Sequence, residues 1–216
     1  IGRSINAAVL LTPGAGAADA SIVTNGVRRN QSGVTLSGTS AAESVYYING
    51  MNVTDQRTFL GYADLPFDAI QTIETKTGGY QAEFGRGTGG VINIVTRSGS
   101  NEFHGGVTAF WTPNSMRATR GRAWAPGGNN SVGQIVENAF SKADANEQTL
   151  WASGPIVQDH VFFFLLYNNR YNNNWGPVSF ANTTTDNGTY LQTKYNDPRI
   201  FGKFDFVLNE NHKIEA

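Results

Sequence analysis

Few side chains in this sequence have the type and spacing to do chemistry. The glycine run Gly85-Arg86-Gly87-Thr88-Gly89-Gly90 is the first to test, because such runs can cradle phosphates on backbone amides. No Lys-Ser or Lys-Thr follows it, and a β-prone strand follows where a helix would be needed. It is therefore neither a phosphate loop nor a dinucleotide fingerprint; its glycines serve positive φ or close backbone packing. His104, His160 and His212 lie far apart, without metal-ligand spacing, and read as strand-end or turn residues. There is no cysteine, which excludes a disulfide framework, a thiolate metal site and a Cys nucleophile. No paired carboxylates or Ser/His/Asp spacing stand out, so an enzyme is not expected, and neither a cofactor nor a metal is implied.

Composition sets the elements that must carry any function. Of 216 residues, 15% are charged, well below the roughly 25% of an average soluble protein. Glycine reaches 25 residues, aromatics 12%, and Asn is frequent throughout. This mixture suits β-structure with long polar loops. A net charge of -1 leaves no basic field for nucleic acid. Ile1 opens directly on domain-like sequence with no leader pattern. The longest apolar run, Val161 to Tyr167, is far short of the ~18 residues of a membrane helix. A chain like this can meet a membrane only as a closed barrel, which satisfies every backbone polar group in lipid.

The two halves follow different patterns. Up to about Asn101, short β-prone runs at 33–36, 44–48, 70–77 and 91–96 alternate with Gly, Ser, Thr and Asn. Leu65 to Ile70 reads as one helical turn, with Pro66 near its start, where a missing N–H matters least. This half suits a small α+β domain. In the second half, period-two alternation takes over. Phe103, Val107, Ala109 and Trp111 share one face. So do Leu150, Ala152, Gly154 and Ile156, then Val161, Phe163, Leu165, Tyr167 and Tyr171, then Ile200, Gly202, Phe204, Phe206 and Leu208. Arg170, Lys203 and Asp205 avoid these apolar faces, as they must if the faces meet lipid, where Arg or Lys costs ~2–4 kcal/mol at the midplane.

A soluble sandwich alternates in the same way; the connections separate the two. Tight turns at 157–160 and 209–212 alternate with long polar stretches at 112–147 and 172–198. Short turns on one side and long loops on the other are the outer-membrane pattern, and loops of that length are unusual in a compact soluble domain. Trp111, Tyr167 and Tyr171 near the long loops, with Phe162 to Phe164 beside a tight turn, suit interfacial girdles. About five barrel strands are expected.

The segment Ile70 to Phe110 names a family. Ile70, Ile73, Glu74, Phe84, Gly85, Gly89, Gly90, Val91, Ile92, Asn93, Ile94, Val95 and Thr96 resemble the last part of the plug of a TonB-dependent outer-membrane receptor. Tyr47-Ile48-Asn49-Gly50-Met51-Asn52-Val53 is similar to the family's strand-and-turn, with Asn49 for the usual Asp. Gly78 to Arg86, Ser98 to Gly105, and Gly154-Pro155-Ile156-Val157 with Phe162 to Phe164 resemble the Oar-like subgroup. The fold class implied is mainly β: a plug domain at 1–101, then at 102–216 the first strands of a transmembrane β-barrel with two long extracellular loops. The family barrel has about 22 strands, so the chain is read as part of a longer protein.

The resemblance also implies roles. The plug would block the pore, and a TonB-type inner-membrane energy-transducing complex would pull on a TonB box outside this chain to move it. The other partners implied are outer-membrane lipid and an unknown extracellular ligand, whether peptide, glycan or siderophore-like. Glu83 and Arg86 look like plug residues that latch onto charges of the wall; a solvated local pair is the alternative. Asn52, Gln56, Arg57, Phe59 and Tyr62 at the plug apex, with Tyr80, Trp124 and Trp175, are candidate ligand contacts, since rings and amides suit such ligands. Loops packing on themselves are the alternative. Two other classes stay open on the residues alone: a soluble or surface-attached β-sandwich binding module and an adhesive surface protein.

Overall fold

The computed structural model describes residues 3–17, 33–56, 59, 62–63, 65–81, 83–85, 87–119, 121, 123–125, 134–136, 141–177, 190–209 and 212–215. In chain order its elements are helix α1 (Ile5–Val9), strands β1 (Ala15–Ala17), β2 (Val34–Leu36), β3 (Ser44–Ile48), β4 (Met51–Asn52), β5 (Ile70–Lys76), β6 (Gly90–Thr96) and β7 (His104–Thr112), then β8 (Ala123–Ala125), β9 (Gln134–Val136), β10 (Lys142–Val157), β11 (Val161–Pro177), β12 (Tyr190–Asn209) and β13 (His212–Glu215). They divide between two compact units, one of Ile1–Phe103, Ser153–Phe164 and Phe201–Ala216, the other of His104–Ala152 and Leu165–Ile200.

The four expected strands of the first half form within a residue of their expected bounds. Three of them, β3, β5 and β6, join β4 in one sheet of order β4-β3-β6-β5, while β2 pairs with β1. β3 runs parallel to β6, with Ser44 opposite Gly90 and Ile48 opposite Ile94, and β5 runs antiparallel to β6. The expected helical turn is a single 3-10 turn at Phe67–Ala69, with Pro66 just outside it. Helix α1 was not foreseen. It starts because Ser4 accepts a hydrogen bond from the Ala7 N–H, satisfying an orphan donor of the first turn. Ile5 and Val9, four residues apart, then face one core with Val34, Leu36, Tyr46, Tyr62, Ile92 and Ile94. At Gly90 an added Cβ would stand 2.4 Å from Leu36 Cδ1 and 3.0 Å from the Lys76 carbonyl oxygen. Glycine is what lets β6 close on its neighbours there.

Tyr46 is fully buried in that core. Burial pushes its phenol up to about 12 from 10.0, outweighing a small opposing effect of the Val34 backbone. The folded state thus holds this proton more tightly than the unfolded chain does. The stability tied to it is complete below pH 10 and falls as pH rises from 10 through about 12. We expect Tyr46→Phe to flatten that alkaline loss, which is ~1.4 kcal/mol per pH unit for a single proton. Denaturant titrations of both proteins at pH 9 and pH 11 measure it; equal slopes would refute the assignment.

The second half forms a sheet of order β13-β12-β11-β10-β7, the five strands expected. Its burial pattern is inside out for a soluble protein. Thr149, Ser153, Asn168, Lys203 and Asp205 are buried, with Phe164 and Leu166. Leu150, Ile156, Leu165, Tyr167, Ile200, Phe204, Phe206 and Leu208 are exposed. Each such apolar side chain left in water forgoes roughly 1.5–3 kcal/mol of burial, so this face calls for an apolar surrounding.

The strands outrun the sequence pattern. β10 already begins at Lys142, β11 continues to Pro177, and β12 begins at Tyr190, so the stretches 112–147 and 172–198 are much less loop-like than expected. The first also holds the hairpin β8–β9 and a 3-10 turn at Asn114–Met116. Lys142-Ala143-Asp144-Ala145-Asn146-Glu147 has no apolar face to betray a strand; ladder hydrogen bonds to neighbours extend it. At 20 residues, β12 is about twice the ~9–11 needed to cross a bilayer.

Candidate functional site

The first unit builds its site from the β3–β4 hairpin. Asn49 and Gly50 make the turn with φ of +49° and +80°, the backbone a two-residue hairpin turn requires. Asn49 also brackets β6: its Nδ2 donates to Thr96 Oγ1 at 2.7 Å, and its Oδ1 accepts from the Thr96 N–H at 2.9 Å. From the turn the chain returns along β3. Asn52 Oδ1 accepts from the Thr54 N–H, Thr54 Oγ1 accepts from the Tyr46 N–H, and Gln56 Nε2 donates to the Thr54 carbonyl. Phe59 is held at φ +54°, with its N–H on the Asp55 carbonyl.

These bonds leave a concavity of about 160 Å³ lined by Glu43, Val45, Asn52, Thr54, Gln56 and Phe59. Three expected ligand contacts, Asn52, Gln56 and Phe59, thus come together, and Glu43 joins them unforeseen. The 3-10 turn Ala41–Glu43 that presents Glu43 had no readable signal beyond Ser40 as its cap. Tyr62 lies elsewhere: it is a core residue, its ring 4.6 Å from that of Tyr46. Tyr80 is half-buried and donates to the Gly87 carbonyl at 2.6 Å, bracing the glycine run. Arg57 falls outside the described residues.

Beside the glycine run, Phe84 packs edge-on against Tyr47 and under the Lys76 ammonium, 4.9 Å from the ring centre. Of the expected latch, Glu83 is exposed in this run and Arg86 lies outside the described residues. Fixed charge appears instead at positions read only as a strand's polar face. Lys203 is 2.7 Å from Glu215 and 3.8 Å from Asp205, and it donates to Ser98 Oγ at 3.0 Å. Arg3 meets Asp68 at 2.5 Å, tying α1 to the turn before β5.

In the second unit, Trp175 on β11 borders a wider hollow of about 440 Å³ with Asn114, Arg117, Lys142, Asn174 and Leu191. Asn114 is set there by a reciprocal pair: its N–H donates to Asp144 Oδ1, and its Oδ1 accepts from the Ala143 N–H. Trp124 sits on β8 opposite Ile135, and its side chain lies outside the described residues. Among the described residues no group of His, Asp and Glu is arranged to hold a metal.

Residues 2–92 match the family model of the TonB-dependent Receptor Plug Domain. The chain is 35% identical over 139 residues, 64% of its length, to the TonB-dependent transporter Oar of Myxococcus xanthus. It is 33% identical over 106 residues, 49% of its length, to a probable TonB-dependent siderophore receptor, PirA, of Acinetobacter baumannii. These stretches span 12% and 11% of the two relatives. The crystal structure of the PirA siderophore receptor matches 96% of the chain with a TM-score of 0.56 at 18% identity, over 27% of that receptor, a likeness of fold.

Proposed function

We propose that this chain, with its match to the TonB-dependent receptor plug and its Oar-like relationship, is the gate and the first wall strands of an outer-membrane transporter. In this reading residues 1–101 form the plug and 102–216 the start of the barrel wall. The intact receptor moves a large ligand across the outer membrane, driven by a TonB-type inner-membrane complex. The inside-out face of β10, β11 and β12 carries the proposal: polar side chains buried, Leu165, Tyr167, Phe204 and Phe206 exposed. Lipid supplies the apolar surrounding that this face needs. A soluble or surface-attached sandwich would turn those side chains inward, so it is the weaker reading.

The ligand, whether peptide, glycan or siderophore-like, meets the plug at Asn52, Gln56 and Phe59, with Glu43 beside them. Trp175 offers a stacking ring at the second hollow. The test uses the intact gene in its own host. The receptor should fractionate with the outer membrane, and deleting the gene should abolish growth on one ligand of these classes as sole source. Restoring the gene with Gln56→Ala and Phe59→Ala together should recover growth only at roughly tenfold higher ligand, the effect of ~1.4 kcal/mol of binding. A receptor that stays soluble and monodisperse without detergent would overturn the transporter reading in favour of the sandwich.

A further inference from the structure

The passage from β6 to β7, Ser98-Gly99-Ser100-Asn101-Glu102-Phe103, is the one singled-out motif that neither ligand contact nor lipid contact explains. Three kinds of contact hold it, all within the first compact unit. Ser98 Oγ accepts from Lys203 on β12. Gly99 lies so close to β11 that an added Cβ would stand 2.4 Å from the Phe163 carbonyl oxygen and 2.9 Å from its amide nitrogen. Asn101 Nδ2 donates to Asp159 Oδ1 at 2.6 Å, and the Asp159 N–H donates back to Asn101 Oδ1 at 2.9 Å.

The partners are themselves fixed. Asp159 sits at φ +62° in the tight turn between β10 and β11, a conformation Asp and Asn tolerate far better than other residues with a side chain. The next residue, His160, accepts from the Val207 N–H at 2.7 Å, tying that turn to β12. A reciprocal pair sets both distance and orientation, where a single bond would allow rotation. Gly99 adds a contact with backbone, which cannot step aside as a side chain can.

We propose that Ser98 to Phe103 is a fixed seam that fastens the end of β6 to the short-turn end of the wall, with Asn101 and Asp159 as its positioning residues. This rests on the gate reading above: the seam keeps the plug's exit in place while the rest of the plug responds to ligand or pull. It also assigns a task to the Ser-Gly-Ser-Asn run, in which Gly permits the backbone approach and Asn makes the paired bond.

The test is amide hydrogen exchange on the full-length receptor in detergent. Asn101→Ala removes both bonds, whereas Asp159→Gly removes the one that the carboxylate accepts and keeps the bond from its N–H, without disturbing the left-handed turn. Each should speed exchange across 97–103 by about tenfold or more while β5 and β6 keep their protection. Asp159→Asn, whose Oδ1 still accepts, should match the wild type. Unchanged exchange at 97–103 in both disrupting variants overturns the seam, as does acceleration spread evenly over β5 and β6. Leakage of vancomycin into cells carrying these variants judges the gate separately: faster local exchange without added leakage keeps the seam and counts against the plug as the barrier.

Discussion

Asn49→Ala should destabilise the first sheet by about 2–4 kcal/mol, the sum of a left-handed backbone penalty and a doubly broken hydrogen-bond bracket. Asn49 holds φ at +49°, where alanine is strained and Asn is tolerated. Its side chain also serves both the N–H and the hydroxyl of Thr96, a fully buried residue. Removing it leaves the Thr96 N–H without that acceptor. Asn49→Gly separates the two parts, since glycine accepts the backbone angle but makes neither bond; it should cost about 1–2 kcal/mol less than alanine. Asn49→Asp keeps the acceptor for the Thr96 N–H and should be milder than either. Denaturant unfolding of the three variants, read by exchange at the Thr96 amide, gives the order. A cost for Asn49→Ala below ~1 kcal/mol would mean that the bracket is idle.

The second large effect is expected at Lys203. Its side chain is only 5% exposed, and it faces Asp205, whose side chain is 1% exposed, as well as Glu215 and Ser98. Lys203→Met keeps the apolar stem but leaves the Asp205 carboxylate, among the described residues, to Lys213, 3.2 Å away and 47% exposed. Breaking one side of a buried charge pair costs ~3–5 kcal/mol, while removing both charges is often neutral. We therefore expect Lys203→Met to lower the unfolding midpoint of the detergent-solubilised receptor sharply. Lys203→Met with Asp205→Leu should recover most of the loss. If the double variant is as unstable as the single one, the loss of a cation beside this carboxylate is not the cause, and lost packing around Lys203 is.

Both residues show where reading from sequence stops. Asn49 was legible as a turn residue, because the demand of a tight turn for Asn and Gly is local to the turn. That it clasps Thr96, 47 residues on, was not. Lys203 was legible as a residue that avoids the apolar face of its strand, and that was right. Its bond to Ser98, 105 residues away, exists only because β12 is brought beside the passage out of β6.

The candidate site divides in the same way. Asn52, Gln56 and Phe59 converge on one concavity with Glu43, but Tyr62, from the same stretch, enters the core. A ring and a hydroxyl suit a binding surface and a packed interior equally well, and nothing within a few residues of Tyr62 separates the two.

What the sequence determined by itself is whatever the backbone enforces at short range. The period of two placed Phe204 and Phe206 on one face and Lys203 and Asp205 on the other. β-Branched residues after a glycine run marked Val91–Thr96 as a strand, and the turn at 157–160 was marked by its polar residues between two alternating runs. The tertiary structure alone decided which face is buried, how far β10 and β12 run beyond their apolar stretches, and which distant side chains meet. Alternation states that two faces differ without saying which one meets solvent, and ladder hydrogen bonds depend on a neighbouring strand more than on side-chain pattern. Contacts such as Asn101 with Asp159 become favourable only after chain closure has brought their strands together, and no local propensity encodes that.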